Sequence, residues 1–232
     1  MRSKRAFLPS SPDGFDRLED RMVLSHAAAL SHGVVALTAD LHAKTAMVTV
    51  KSDLNSQVLA YAKRALGTKV GDGECATLAD EAVRTAGGKR FYNLGPSGKD
   101  ADYVWGRKVT TLTTSGGSIS SIKAGDIIQF RNVSFSMQQK VTKRDGSYRT
   151  TTSTSSYGHH TAVVSGISGN FINLLQQNVG SQGKSADAKK IVQNGQIWGK
   201  SFSTTSTASD KTVTATTFTF KAGTMWVYRP YS

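Results

Sequence analysis

The chain contains one cysteine, Cys75, and it opens a stretch with helical spacing. A lone thiol can form no internal disulfide and no zinc site built from several thiolates. It is either a small buried side chain or a nucleophile. A nucleophilic thiol reacts as the thiolate, and the first turn of a helix favours that form through its free N–H groups and positive dipole end. The thiolate also needs an imidazole to take up the proton and return it to the leaving group. Of five histidines, His26, His32 and His42 lie before the first helical pattern, which leaves His159 and His160. They begin the run Gly158-His-His-Thr-Ala-Val-Val164, whose alternation as a strand turns the two rings to opposite faces. Only one is expected to face the cysteine helix, and His160 is preferred because it starts the apolar run directly. A third polar group should hold the far side of the ring. The next strand ends in Leu174-Leu-Gln-Gln-Asn178 and returns antiparallel from the Ser168-Gly169-Asn170 turn, so either Gln176 or Asn178 comes back beside His160. Spacing does not choose, because both have the same parity.

The elements that would position these groups follow from periodicity. Leu54, Val58, Tyr61, Ala62, Ala65 and Leu66 recur at three- and four-residue intervals, with Ser52 or Asp53 as cap and Gly67 as stop, and predict a first helix. Gly71-Asp-Gly-Glu-Cys75 leads into a second, marked by Leu78, Ala79, Ala82, Val83 and Ala86 and closed by Gly87-Gly88. From residue 120 onward the period changes to two, and strands are predicted over 126–131, 133–142, 147–155, 160–165, 171–177, 212–220 and 224–229. Asp145-Gly146 reads as a hairpin turn whose arms carry Lys140, Lys143, Arg144 and Arg149. A second Ser/Thr-rich excursion spans 203–217. Residues 1–48 read as a leader, basic at first and then interrupted by mixed charges, ahead of one domain over 49–232.

Composition limits the partners. Lys and Arg number 29 against 16 Asp and Glu, and residues 120–232 hold 13 basic and 4 acidic side chains with no glutamate. Such a field attracts anionic polymers, so nucleic acid stays open beside acidic glycans and wall polymers. No run reaches the roughly 18 apolar residues of a spanning helix. No paired-histidine helix, acidic calcium loop or phosphate-cradling loop is present, so no metal and no cofactor is expected.

Together, cysteine at a helix start, Trp105-Gly106, Ala124-Gly-Asp-Ile-Ile-Gln-Phe130, Gly158-His-His-Thr-Ala-Val-Val164 and Gln-Gln-Asn178 resemble the papain-like CHAP and NlpC-type cysteine amidases and peptidases that cut cell-wall peptides. The Gly-Glu-Cys form and Tyr-Arg-Pro230 are similar to a divergent subgroup that includes the cysteine-protease-like domain of a fungal actin-patch protein. The resemblance implies an α+β papain-like fold, N-terminal helices packed on a mostly antiparallel sheet. It also implies a triad of Cys75 as nucleophile, His160 as base and Asn178 or Gln176 as orienter. Glu74, Trp105 and His159 would then line the substrate groove. Gln176 stands where many relatives have glutamate, and Ala76 where the subgroup has tryptophan. A peptide or wall-polymer substrate and a monomeric chain follow as expectations. The segment Leu18-Glu-Asp-Arg-Met-Val-Leu-Ser25 is similar to a short motif of bacterial exported proteins, which implies a surface or exported location. The alternative is an inactive papain-like module that binds an anionic polymer through its basic sheet half.

Overall fold

A computed structural model describes residues 53–180 and 185–232; the expected leader, residues 1–48, lies outside the described residues. Both predicted helices form. Helix α1, Leu54–Arg64, is capped by Asp53, whose carboxylate accepts from the Ser56 N–H at 2.8 Å. It ends just before Gly67, which takes φ +79° and donates its N–H to the Val192 carbonyl at 2.9 Å. Helix α2, Cys75–Thr85, buries Leu78, Ala79, Ala82 and Val83. Small side chains on this stripe let α2 lie close to α1, whose Val58 and Ala62 are buried.

The helices cover one face of a seven-stranded antiparallel sheet, ordered β1-β7-β2-β3-β4-β5 with β6 also beside β7. The strands are β1 (Arg107–Thr113), β2 (Ile127–Thr142), β3 (Tyr148–Ser168), β4 (Phe171–Gln176), β5 (Gln193–Trp198), β6 (Phe202–Thr207) and β7 (Val213–Arg229). A short helix α3, Ala186–Lys189, precedes β5. Three pairs of predicted strands fuse into the long strands β2, β3 and β7. The cause lies at Asn132, where φ is +50° and a β-bulge shifts the pairing with β7. After the bulge the inward parity changes, so Phe130 and then Val133 and Phe135 enter the same core. Gly223 accommodates this at φ +93°, because a Cβ there would meet the Asn132 carbonyl oxygen at 2.4 Å.

Each face of the sheet has its own core. Val58, Leu78, Ala82, Trp105, Ile127, Val163, Leu175 and Tyr228 fill the space under the helices. On the opposite face Ile128, Phe130, Phe135, Ala162, Leu174, Ile197 and Met225 pack together. Alternation along β3 therefore sends Val163 toward the helices and Ala162 and Val164 away. Buried Asp126 ties the assembly together. Its carboxylate accepts from Arg229 Nε and Nη2 at 2.9 and 2.8 Å, from Asn55 Nδ2 at 2.7 Å and from the Lys123 N–H at 2.8 Å. Start of β2, end of β7 and first turn of α1 thus meet at one carboxylate. The Asp145-Gly146 turn caps a ribbon of β2 and β3 whose outer part is exposed. The 203–217 excursion is the β6–β7 pairing, anchored by Phe202 stacked on Phe218. Among the described residues no helix is long and apolar enough to cross a membrane.

Candidate active site

Gln177 sets where α2 begins. It is fully buried; its Oε1 accepts from the Val70 N–H at 3.2 Å, while its Nε2 donates to the Val70 and Glu74 carbonyls at 3.1 and 2.7 Å. These bonds fasten the loop before Cys75 to the end of β4. Asp72 completes the helix start, accepting from the Glu74 N–H and the Thr77 hydroxyl at 3.0 and 2.7 Å. Sequence reasoning passed over Gln177, although a third polar residue beside Gln176 and Asn178, with opposite parity to both, was the signal.

The Cys75 thiol then lies against β3, close enough to the backbone N–H of Thr161, the residue after His160, for that N–H to favour the thiolate. That N–H is free for a physical reason. Val164 donates toward β2, to the Asp126 carbonyl at 2.8 Å, so by the two-residue period Thr161 points to the other side, the lane of β4. β4 stops at Gln176 and pairs with β3 only from Val163 onward. The thiol occupies the vacated lane, at the edge of the strand. Burial pushes the thiol above its ordinary value and the neighbouring Glu74 carboxylate adds to the rise, while the N–H groups of Thr161 and Ala76 act against it.

The two histidines separate as alternation demands. His160 is buried between Phe130 and Tyr157, with ring centroids 5.5 and 5.1 Å away, on the sheet face opposite the helices. Its Nε2 lies 3.0 Å from Gln176 Oε1. With that oxygen as acceptor, Nε2 carries the proton and Nδ1 the lone pair. Burial lowers this imidazole to about 4, partly offset by the Gln176 bond and reinforced by His159. Gln176 also bonds the Tyr157 hydroxyl. Gly195 leaves it room, since a Cβ there would come within 2.1 Å of Gln176 Nε2. His159 turns to the helix face, where its ring meets the edge of Tyr103 and its Nε2 lies 2.5 Å from the Ala101 carbonyl. The expectation that His160 is the ring facing the cysteine helix is therefore corrected: His159 faces it, and His160 points to the opposite face of the sheet.

Other expectations change as well. Of the two amides it is Gln176, and not Asn178, that holds the His160 ring. Strand geometry ends at Gln176; Asn178 adopts φ +58° and donates through Nδ2 to Glu74 Oε2 at 2.5 Å. Trp105 is no groove wall, being fully buried with its Nε1 donating to Gln129 Oε1 at 3.2 Å. Gln129 also accepts from the Thr161 hydroxyl at 2.8 Å, so Trp105 supports β3 from below. Glu74 stays at the exposed rim, 3.7 Å from Lys190 Nζ. A groove of about 800 Å³ starts at His159, His160 and Asn178 and follows β3 outward. Among the described residues no group of three or more His, Cys, Asp or Glu side chains is placed to hold a metal.

A helix-borne cysteine set against an antiparallel sheet is the arrangement of a cysteine proteinase fold. The AIM3/BBC1 cysteine proteinase-fold domain model matches residues 39–232, and the chain belongs to that family. One solved structure, described as the crystal structure of Ly7917 with the hydrolyzing product of MDP, is similar at 18% identity and a TM-score of 0.31, covering 68% of this chain and 67% of that one. No curated protein matches the chain.

Proposed function

We propose that this domain is a thiol hydrolase that cleaves an amide bond of a peptide, with Cys75 as nucleophile, His160 as base and Gln176 as the amide that orients the ring. One observation carries the reading: the thiol lies beside the Thr161 N–H, one residue along from an imidazole whose Nε2 is already bonded to Gln176. Raised thiol and lowered imidazole leave both groups neutral at rest. The proton therefore passes from sulfur to Nδ1 as the sulfur bonds to the carbonyl carbon, and not beforehand. The N–H groups at the start of α2 face the developing oxyanion. His160 then gives its proton to the departing amine, leaving a thioester that water hydrolyses with the same imidazole as base. The resemblance to CHAP and NlpC-type enzymes makes a cell-wall peptide the first substrate to try.

Turnover of a fluorogenic peptide amide by wild type, Cys75→Ala and His160→Ala tests the proposal. Both variants should fall at least about 100-fold, within the range of a lost nucleophile or base. Equal rates in wild type and Cys75→Ala would end the hydrolase reading.

A second reading, an anionic-polymer-binding module, is favoured by one feature. Lys140, Lys143, Arg144 and Arg149 crowd an exposed ribbon tip where Asp145 is the one acidic side chain. Binding of that kind would survive Cys75→Ala and fall steeply with salt.

A further inference from the structure

Strand β3 is far longer than its neighbour in the β4 lane. It runs from Tyr148 to Ser168, yet β4 pairs only with Val163 to Ser168, while β2 lies along the other side from Ile127 to Thr142. Between Tyr148 and His160 the second edge of β3 has no strand partner among the described residues. The register with β2 is unbroken, so the change of parity at Asn132 passes to β3: His160 and Tyr157, three residues apart, face the same core, and the parity set at Val164 reverses beyond Gly158. By the reversed parity Thr150, Thr152, Thr154 and Ser156 direct their main-chain N–H and C=O groups to the open side, and His159 does so before the reversal. Natural sheets protect such edges with proline, inward charges, covering loops or bulges. This edge contains no proline, no acidic residue and only Arg149 as a fixed charge, and its residues are mostly Thr, Ser and Tyr, which suit a strand. The groove of about 800 Å³ lies over this stretch, lined by residues 154–160, by Ser134 and Phe135 of β2, by residues 178–180 and by Lys221.

We propose that the open edge of β3 is the binding site of an extended, acidic peptide, which adds to the sheet as a further strand in the lane that β4 leaves. This rests on the hydrolase reading for its purpose, because the same lane ends at the Cys75 sulfur beside the Thr161 N–H. A peptide zipped along residues 150–156 leads a main-chain carbonyl toward the thiol, with backbone bonds giving affinity and alternate side chains falling into the groove. Acidic side chains are selected by Lys221 in the groove and by Lys143, Arg144 and Arg149 at the outer end, with no carboxylate on β3 to oppose them.

The test uses the full-length Cys75→Ala protein, so that binding is read without turnover, and a fluorescein-labelled eight-residue peptide of alternating Glu and Val. Anisotropy titration should show binding that Thr154→Pro weakens at least tenfold and Thr154→Ala changes less than twofold, since only proline removes the outward N–H. Circular dichroism confirms that each variant is folded. A peptide-side pair keeps the test decisive if Thr154→Pro does not fold. N-methylation of one alternate set of residues should abolish binding and of the other set leave it intact. Equal binding by both methylated peptides overturns the edge site, and equal binding by the Gln-for-Glu peptide overturns the acidic selection. If the wild type fails to cleave a peptide that binds in this register-dependent way, the hydrolase reading falls and the edge site stands.

Discussion

At Gln176 a neutral carboxamide lies against the His160 ring where a carboxylate would hold an imidazolium. Introducing that charge by Gln176→Glu should raise the imidazole and move the onset of iodoacetamide alkylation of Cys75 about one pH unit toward acid. The wild-type thiol, raised by burial, should alkylate only above the pH at which an ordinary cysteine does. A profile unaltered by Gln176→Glu would detach the amide from the thiol's chemistry. The buried ring also ties stability to pH. Its folded value of about 4 lies below the ordinary value near 6.5, so the unfolded chain takes the proton first. Stability is complete above about pH 6.5, declines as pH falls toward 4 and is level below that, a loss of about 3 kcal/mol. Urea titrations across this range should show the decline in wild type and flatten it in His160→Asn. Gly195→Ala offers a variant outside the proposed site: its methyl displaces Gln176 Nε2, so it should alter the His160 titration while leaving the fold intact. An unchanged titration would mean that Gln176 does not set the ring's protonation.

The elements came from sequence with uneven clarity. Both helices were legible because their apolar spacing, their caps and their closing glycines agree, and Cys75 opens α2 as that spacing requires. The opposite facing of His159 and His160 was legible for the same reason, strict alternation. What alternation did not reveal was the Asn132 bulge, which reverses parity inside a continuous strand and made β2 look like two. Strand β1, with Arg107 and Lys108 exposed, and β5, with Gly195 inside it, carry too little apolar pattern to be read locally; their pairing with β7 and β4 forms them. Which amide meets the His160 ring was open because parity speaks only inside a strand, and Asn178 lies past its end. Gln177 is the element-level clamp. Gln177→Leu strands the Val70 and Glu74 backbone groups it serves, and should cost about 2–4 kcal/mol in urea unfolding while slowing turnover through a misplaced α2. A loss below about 0.5 kcal/mol would show that the loop finds other partners.

Taken as a whole, the molecule separates its charge from its core. The basic ribbon tip is exposed and adds little to either hydrophobic cluster, so replacing residues 140–149 by a two-residue turn should shift the melting temperature by no more than about 3 °C. If polymer binding resides there, the same change should remove most of the salt-dependent affinity for a polyanion such as heparin; full retention would place that affinity elsewhere on the surface. The sheet, by contrast, depends on contacts between distant parts of the chain. β7 lies between β1 and β2 and also holds β6, although more than a hundred residues separate Arg107 from its partner Arg229. A ribosome that has finished β6 has made six strands but not the one in their midst. Until Val213 and the residues after it emerge, β1 has no neighbour, β2 shows a bare edge and Asp126 waits for Arg229. A message cut short before that codon yields a product with several open strands at once, one for chaperones and proteases to clear.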